Sequence, residues 1–180
     1  MRSEYEIKQE ICEVGRRVYE RGMVAANDGN FSVKLNDNEI LCTPAGVSKG
    51  FMTPEAICKI DAEGRLLEAK GGFKPSSEMK MHLRVYKDRP DIQAVVHTHP
   101  IELVAMTHNP EFLGKDVLTR LLWSMIPETR AFCPKWLGIV PYTLPGSQEL
   151  ADRTIALLDD YDVVMWTKHG ALAIGTDLIE

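Results

Sequence analysis

No stretch of this sequence stays apolar for the roughly 18 consecutive residues that a membrane-spanning helix needs, so insertion in a bilayer is not expected. The opening residues, MRSEYEIKQE, lack a basic segment followed by an apolar one. No export signal is read there, and the cytoplasm is the expected compartment. Cysteine is scarce and scattered: Cys12, Cys42, Cys58 and Cys133 form no C-x-x-C pair. That argues against a zinc ribbon, a redox motif or a disulfide framework and leaves reduced, mostly buried thiols. A basic excess is missing too. The net charge of −5 gives no broad positive field for nucleic acid, although a local basic pocket for a small anion fits. Internal repeats, low-complexity tracts and linkers are absent. What remains is an ordinary soluble composition, 44% hydrophobic and 26% charged over 180 residues, long enough for one domain with its own core.

Residues 4–21 place Ile7, Ile11, Val14 and Val18 on one face and Arg16, Arg17 and Glu20 on the other, which predicts an amphipathic helix ending near Gly22. FSVKL and EILCT around the turn-forming NDN predict a hairpin, and ICKID and RLLEA around AEG predict another. After the loop KGGFKP, the segment SSEMKMHLRVYKD sets Met79, His82, Leu83 and Tyr86 at helical spacing, with Ser76 or Ser77 as N-cap. AVVHTH follows as a buried strand. Residues 100–108 read as helical, LGIVPYT as a strand and SQELADRTIALLDD as a helix. DVVMWTKHGALAIG reads as a strand pair broken at Gly170. Early hairpins with interspersed helices point to a single-domain, three-layer α/β/α structure around a central mixed, mainly antiparallel β-sheet.

Within AVVHTH, His97 and His99 are two residues apart on a strand and therefore project to the same face. Such a pair is either two hydrogen-bonded core histidines or two ligands of a divalent metal. A third imidazole, His169, ends the apolar strand VVMWT before a glycine. Three histidines fit the open kind of zinc site, which keeps one coordination position for substrate. His82 and His108 lie outside this pattern and read as structural or surface residues. The KPSSE segment adds Ser76, Ser77 and Glu78 at a helix start, where free amides and hydroxyls either begin a helix or cradle a phosphate. NDGNFS and TPAGVSKG carry the same two readings, as turns or as anion sites built from backbone N–H groups.

The ordered set NDGNFS, TPAG, KPSSE, VVHTH and KHG, from residue 27 to residue 170, resembles the class II aldolase/adducin family over nearly the whole chain. The separations of SSE, VVHxH and HG make this more specific than any one motif. The resemblance runs closest to the family's L-rhamnulose-1-phosphate and L-fuculose-1-phosphate aldolases. It implies one α/β/α domain over residues 1–180, without the family's C-terminal segment, assembled as a homotetramer with active sites at subunit interfaces and one Zn²⁺ per subunit. Carried across by position, His97, His99 and His169 match the zinc ligands and Glu78 the catalytic acid/base. Gly29, Asn30, Gly46, Ser76 and Ser77 match the phosphate-binding positions, while Ala45 departs from the hydroxyl residue often found there. Glu128, in PETR, matches an acidic residue acting near a neighbouring subunit's site.

The implied activity is zinc-dependent cleavage of an L-ketose 1-phosphate, L-rhamnulose- or L-fuculose-1-phosphate, to dihydroxyacetone phosphate and L-lactaldehyde. The expected partner is thus a small phosphorylated sugar, with no nucleic acid and no membrane. Two alternatives remain open: an enzyme like the family's L-ribulose-5-phosphate 4-epimerase, and a non-catalytic adducin-like interaction module. The complete histidine set with Glu78 counts against the module.

Overall fold

A computed structural model describes residues 2–114 and 116–179. The chain divides into two compact units, one of residues 1–99 with 174–180, the other of residues 100–173.

In the first unit, helix α1 (Glu4–Glu20) starts where Ser3 and Glu6 cap each other. The Glu6 N–H donates to Ser3 Oγ at 3.3 Å and the Ser3 N–H to Glu6 Oε2 at 2.6 Å. Its apolar face brings Ile11 into a cluster with Phe31, Val33, Leu41, Met52 and Ile57, with Ile7 and Val18 at the margin. Each fully buried side chain of this size contributes roughly 1.5–3 kcal/mol. Strands β1 (Asn30–Asn36) and β2 (Glu39–Cys42) form the expected hairpin, its turn closed by the Asn38 N–H on Asn36 Oδ1 at 2.9 Å. Strands β3 (Cys58–Ile60) and β4 (Leu66–Glu68) continue the antiparallel meander. On the other side of β1 lies β5 (Ala94–Thr98), antiparallel, setting Asn30 opposite His97 and Ser32 opposite Val95.

Strand β1 is buried from Asn30 to Lys34 because both of its faces are covered. Phe31 and Val33 join the α1 cluster, while Ser32 bonds His82 and Tyr86 of helix α2 (Met79–Asp88). Helix, sheet and helix thus form the expected three layers within this unit.

The second unit begins with α3 (Ile101–Met106), as expected, and continues with α4 (Val117–Met125) and α5 (Thr129–Phe132), which the sequence reading did not anticipate. Strand β6 (Leu137–Val140) stops at Pro141, short of LGIVPYT, since proline has no N–H to continue a ladder. Helix α6 (Gln148–Ile155) is capped by Ser147 Oγ accepting the Leu150 N–H at 3.1 Å and gives way to turns before Asp160. It is the crossover between β6 and the parallel β7 (Val163–Trp166). Strand β8 (Gly170–Gly175) then returns antiparallel to β7. Leu118, Met165 and Ala171 form the core here, flanked by Leu103, Met106, Leu122, Leu137 and Ile139. The Trp166 indole donates to Thr154 Oγ1 at 2.9 Å, so its buried N–H is satisfied.

Within the first unit the strands follow the order β4-β3-β2-β1-β5, all antiparallel, and in the second β8-β7-β6, with β7 antiparallel to β8 and parallel to β6. This is the expected fold class. Among the described residues, no helix is long and apolar enough to cross a membrane.

Candidate active site

Three loops of the first unit, marked in the sequence as turns or anion sites, are tied together through their backbones. In residues 27–30, Gly29 has φ +73°, and a Cβ there would sit 2.8 Å from the His97 carbonyl oxygen. Only glycine fits that approach. Thr43, which opens the TPAG loop, donates its N–H to Phe31 O at 3.0 Å and accepts the Phe31 N–H on Oγ1 at 3.1 Å. The same loop is bridged to KPSSE: the Ser76 N–H donates to Thr43 O at 3.1 Å and the Ala45 N–H to Lys74 O at 2.8 Å. Of the phosphate candidates, Asn30 is buried, Gly29 and Ser76 are half-buried, and Gly46 and Ser77 are exposed.

Lys49 lies under these loops and was missed by the sequence reading. It is 1% exposed, and its ammonium donates to Asn27 O at 3.1 Å and Val47 O at 2.7 Å, clasping the first two loops. Burial pushes its pKa down to about 8, against the pull of the nearby Asp28 carboxylate. A cation paired chiefly with carbonyls, among loops offering N–H groups and hydroxyls, suits a small anion. Its position directly after TPAGVS was the available signal. Lysines are rarely buried, so nothing else in the sequence marks it out.

Helix α2 starts later than a Ser76 or Ser77 cap would place it. The N-cap position is Glu78, in helical conformation and with no side-chain cap bond. The reason lies in the Ser76 backbone, which is engaged with Thr43 and so belongs to the inter-loop bridge; its Oγ only accepts the Glu78 N–H at 3.4 Å. The Glu78 carboxylate is half-buried and is not used as a cap.

His97 and His99 project from β5 to one side, as the period of two requires, with Nε2 to Nε2 at 3.0 Å. Two nitrogens each ~2.0–2.1 Å from one tetrahedral ion would stand about 3.3 Å apart, so the pair is close to ligand geometry. Asp28 supplies a carboxylate oxygen 3.5 Å from His99 Nδ1. That is the carboxylate–histidine arrangement that orients a ligating ring, and it also escaped the sequence reading, hidden in a segment that looks like a turn. His169 sits in the tight turn between β7 and β8, where Lys168 takes φ +62° and the His169 N–H donates to Trp166 O at 2.9 Å. His97 and His99 are thus candidate metal ligands of the first unit, and His169 is a candidate ligand of the second.

The remaining histidines separate cleanly. His108 is exposed. His82 is 1% exposed and has protein partners on both ring nitrogens, Ser32 Oγ at 2.7 Å from Nδ1 and Asn30 Oδ1 at 2.6 Å from Nε2. Glu128 is exposed at the start of α5.

An α/β sheet with tied anion-type loops beside a strand that presents two converging histidines defines the class of this protein as an α/β domain of the class II aldolase type. The chain belongs to the Class II Aldolase and Adducin N-terminal domain family, whose model matches residues 9–180. It is 54% identical over 124 residues to the rhamnulose-1-phosphate aldolase of Bacteroides thetaiotaomicron, covering 67% of this chain and 46% of that protein. It is 35% identical over 174 residues to the L-fuculose phosphate aldolase of Methanocaldococcus jannaschii, covering 96% of this chain and 86% of the relative. The 3-oxo-tetronate 4-phosphate decarboxylase of Haemophilus influenzae is 32% identical over 175 residues, 96% of this chain and 79% of the relative. Among solved structures, the sugar-phosphate aldolase of Thermotoga maritima superposes with TM-score 0.81 at 28% identity, over 97% of this chain and 86% of that one. The chain therefore spans less than half of the Bacteroides relative and most of the others.

Proposed function

We propose that the chain is the catalytic domain of a zinc-dependent sugar-phosphate aldolase that cleaves an L-ketose 1-phosphate, L-rhamnulose- or L-fuculose-1-phosphate, to dihydroxyacetone phosphate and L-lactaldehyde. The observation that carries this reading is the converging pair His97 and His99, with Asp28 beside His99, on a strand that pairs with β1 and through it with the anion-type loops; His169 is proposed as the third ligand. The histidine set fits a divalent ion: neutral imidazoles are first-row metal ligands, three of them leave a position for substrate, and Asp28 is placed to orient His99. Such an ion, when bound, supplies Lewis acidity toward the substrate's carbonyl oxygen.

The chain's own groups account for the rest. Ser76, Ser77, Asn30 and the amides around Gly29 and Gly46 bind the phosphate, with Lys49 lending positive charge from beneath. The phosphate takes no part in bond cleavage; held there, it fixes C3 of the ketose against Glu78. When C3–C4 breaks, the C4 hydroxyl loses its proton to the Glu78 carboxylate and becomes the aldehyde, the electron pair stays on the ketone half as an enediolate, and Glu78 then delivers that proton to C3. In the reverse direction Glu78 removes it. Further elements of the proposal are a homotetramer in which Glu128 acts at a neighbouring subunit's site, and a cytoplasmic location.

A second reading is favoured by the decarboxylase relative, since loss of CO₂ from a 3-oxo acid also leaves an electron pair beside a carbonyl and needs the same phosphate grip. Incubation with phosphorylated L-ketoses and, separately, 3-oxo-tetronate 4-phosphates decides between them. Release of dihydroxyacetone phosphate is the expected result. CO₂ release from the oxo acid without ketose cleavage replaces the aldolase by the decarboxylase, and conversion of L-ribulose 5-phosphate without free aldehyde replaces it by the epimerase.

A further inference from the structure

Taking Asn30 as a phosphate ligand, as the proposed function does, we infer that His82 is a positioning residue that fixes the direction of the Asn30 side-chain amide, so that its NH₂ group faces the phosphate. The observation is a buried chain of four side chains. Tyr86 Oη lies 2.7 Å from Ser32 Oγ, Ser32 Oγ lies 2.7 Å from His82 Nδ1, and His82 Nε2 lies 2.6 Å from Asn30 Oδ1. Exposure is 6% at Tyr86, 0% at Ser32, 1% at His82 and 4% at Asn30, so water does not compete along it.

A chain of this kind has two self-consistent polarities. In one, Tyr86 donates to Ser32, Ser32 donates to Nδ1, and the Nε2–H donates to the Asn30 carbonyl oxygen, leaving the amide NH₂ for an outside acceptor. In the other every donor is reversed: the Asn30 amide turns over, its NH₂ is spent on Nε2, and its oxygen faces the ligand. The Tyr86 hydroxyl breaks the tie, because among the described residues Ser32 Oγ is its only hydrogen-bond partner. In the reversed chain Tyr86 would accept from Ser32 and leave its own buried proton without an acceptor, which is costly. The forward polarity satisfies every group. Burial also keeps the ring neutral, pushing the His82 pKa down to about 3, so the single Nε2–H persists at working pH.

The consequence is directional. A phosphate dianion binds an amide NH₂ and is repelled by an amide oxygen, and an unsupported asparagine could present either. Helix α2, led by Ser76, Ser77 and Glu78, would thus fix the phosphate site twice, through the turn at its start and through His82 one turn in.

Histidine ¹⁵N NMR of the unaltered protein reads the tautomer directly. The expected spectrum shows His82 with Nε2–H and bare Nδ1, and an Nδ1–H tautomer overturns the inference without any variant. Paired substitutions then test the effect on binding. His82→Gln places an amide donor where Nε2 stood, whereas His82→Asn reaches only Ser32. The Kd for inorganic phosphate should stay within about threefold in the first and rise about tenfold in the second, with metal content unchanged. For the ketose phosphate, His82→Asn should raise KM and spare kcat. Equal losses in both variants would mean that packing alone is at stake, and the inference falls. Asn30→Ala in the same titration separates the levels: if it binds phosphate as well as the parent does, the phosphate reading itself fails. If it loses binding while His82→Asn retains it, only the role of His82 fails.

Discussion

His82 on α2 and the pair His97 and His99 on β5 belong to the same unit, and His82 is as buried as His97, at 1% and 2% exposure. Their surroundings differ. His82 meets a serine hydroxyl and an asparagine carbonyl, one on each ring nitrogen, and is neutral by burial. His97 and His99 turn Nε2 toward Nε2 at 3.0 Å, with a carboxylate behind His99. Burial therefore does not separate the two kinds of histidine; the groups that the ring nitrogens meet do. A ring held between a serine and an asparagine transmits orientation, while two rings that converge set their nitrogens near the spacing of two ligands on one ion.

The largest effect should follow from the converging pair. His97→Ala or His99→Ala should abolish both metal retention and ketose-phosphate cleavage, measured by metal analysis of the purified protein and by dihydroxyacetone phosphate release; full activity in either variant would place the metal elsewhere. Next is Glu78→Gln, which keeps size and hydrogen bonding but cannot cycle a proton. A fall in kcat of ~10²–10⁴-fold with KM largely preserved is expected from steady-state kinetics. Asp28→Asn removes the carboxylate behind His99 and should weaken zinc affinity by ~10–100-fold in a competitive chelator titration, with the fold intact. An unchanged affinity would reduce Asp28 to a turn residue.

The smallest effect concerns the bracketed histidine and its pH dependence. With an ordinary value of 6.5 in the unfolded chain and about 3 when folded, His82 binds its proton first in the unfolded state. Its neutral form thus favours the folded protein fully above pH 6.5, and that contribution is lost as pH falls toward 3. Urea unfolding should show the parent losing stability over that range more steeply than His82→Gln, by at most about 1.4 kcal/mol per pH unit. Parallel curves would mean that the ring is not held neutral.

Much of this was legible from residues alone where one force dominated. The 3.6-residue period of α1, its stop near Gly22 and the NDN hairpin needed only local physics, and the period of two put His97 and His99 on one face. The misses have a common cause in groups whose setting is decided by distant chain. Ser76 looks like an N-cap, yet its backbone is taken by Thr43, 33 positions earlier, so the helix starts at Met79. Helices α4 and α5 have no side-chain cap bond at their N-cap positions Asp116 and Glu128, so neither start is marked in the sequence. Lys49 and Asp28 went unread because the Asn27 carbonyl that Lys49 holds lies 22 positions away and the His99 ring beside Asp28 lies far along the chain. The spacing of Met79, His82, Leu83 and Tyr86 placed His82 on the apolar face, but its bracket of Ser32 and Asn30 lies some 50 positions away, at |i−j| of 50 and 52.

Solvent exchange at C3 of dihydroxyacetone phosphate, followed by NMR in D₂O with the zinc-loaded protein, tests the central claim most directly, because it requires the phosphate grip, the histidine-held metal and the Glu78 proton transfer together and no aldehyde. Exchange of one C3 hydrogen is the predicted result, lost on metal removal or in Glu78→Gln. A fully loaded, folded protein that leaves both C3 hydrogens in place, or one that exchanges them equally well after its metal has been stripped, would contradict it.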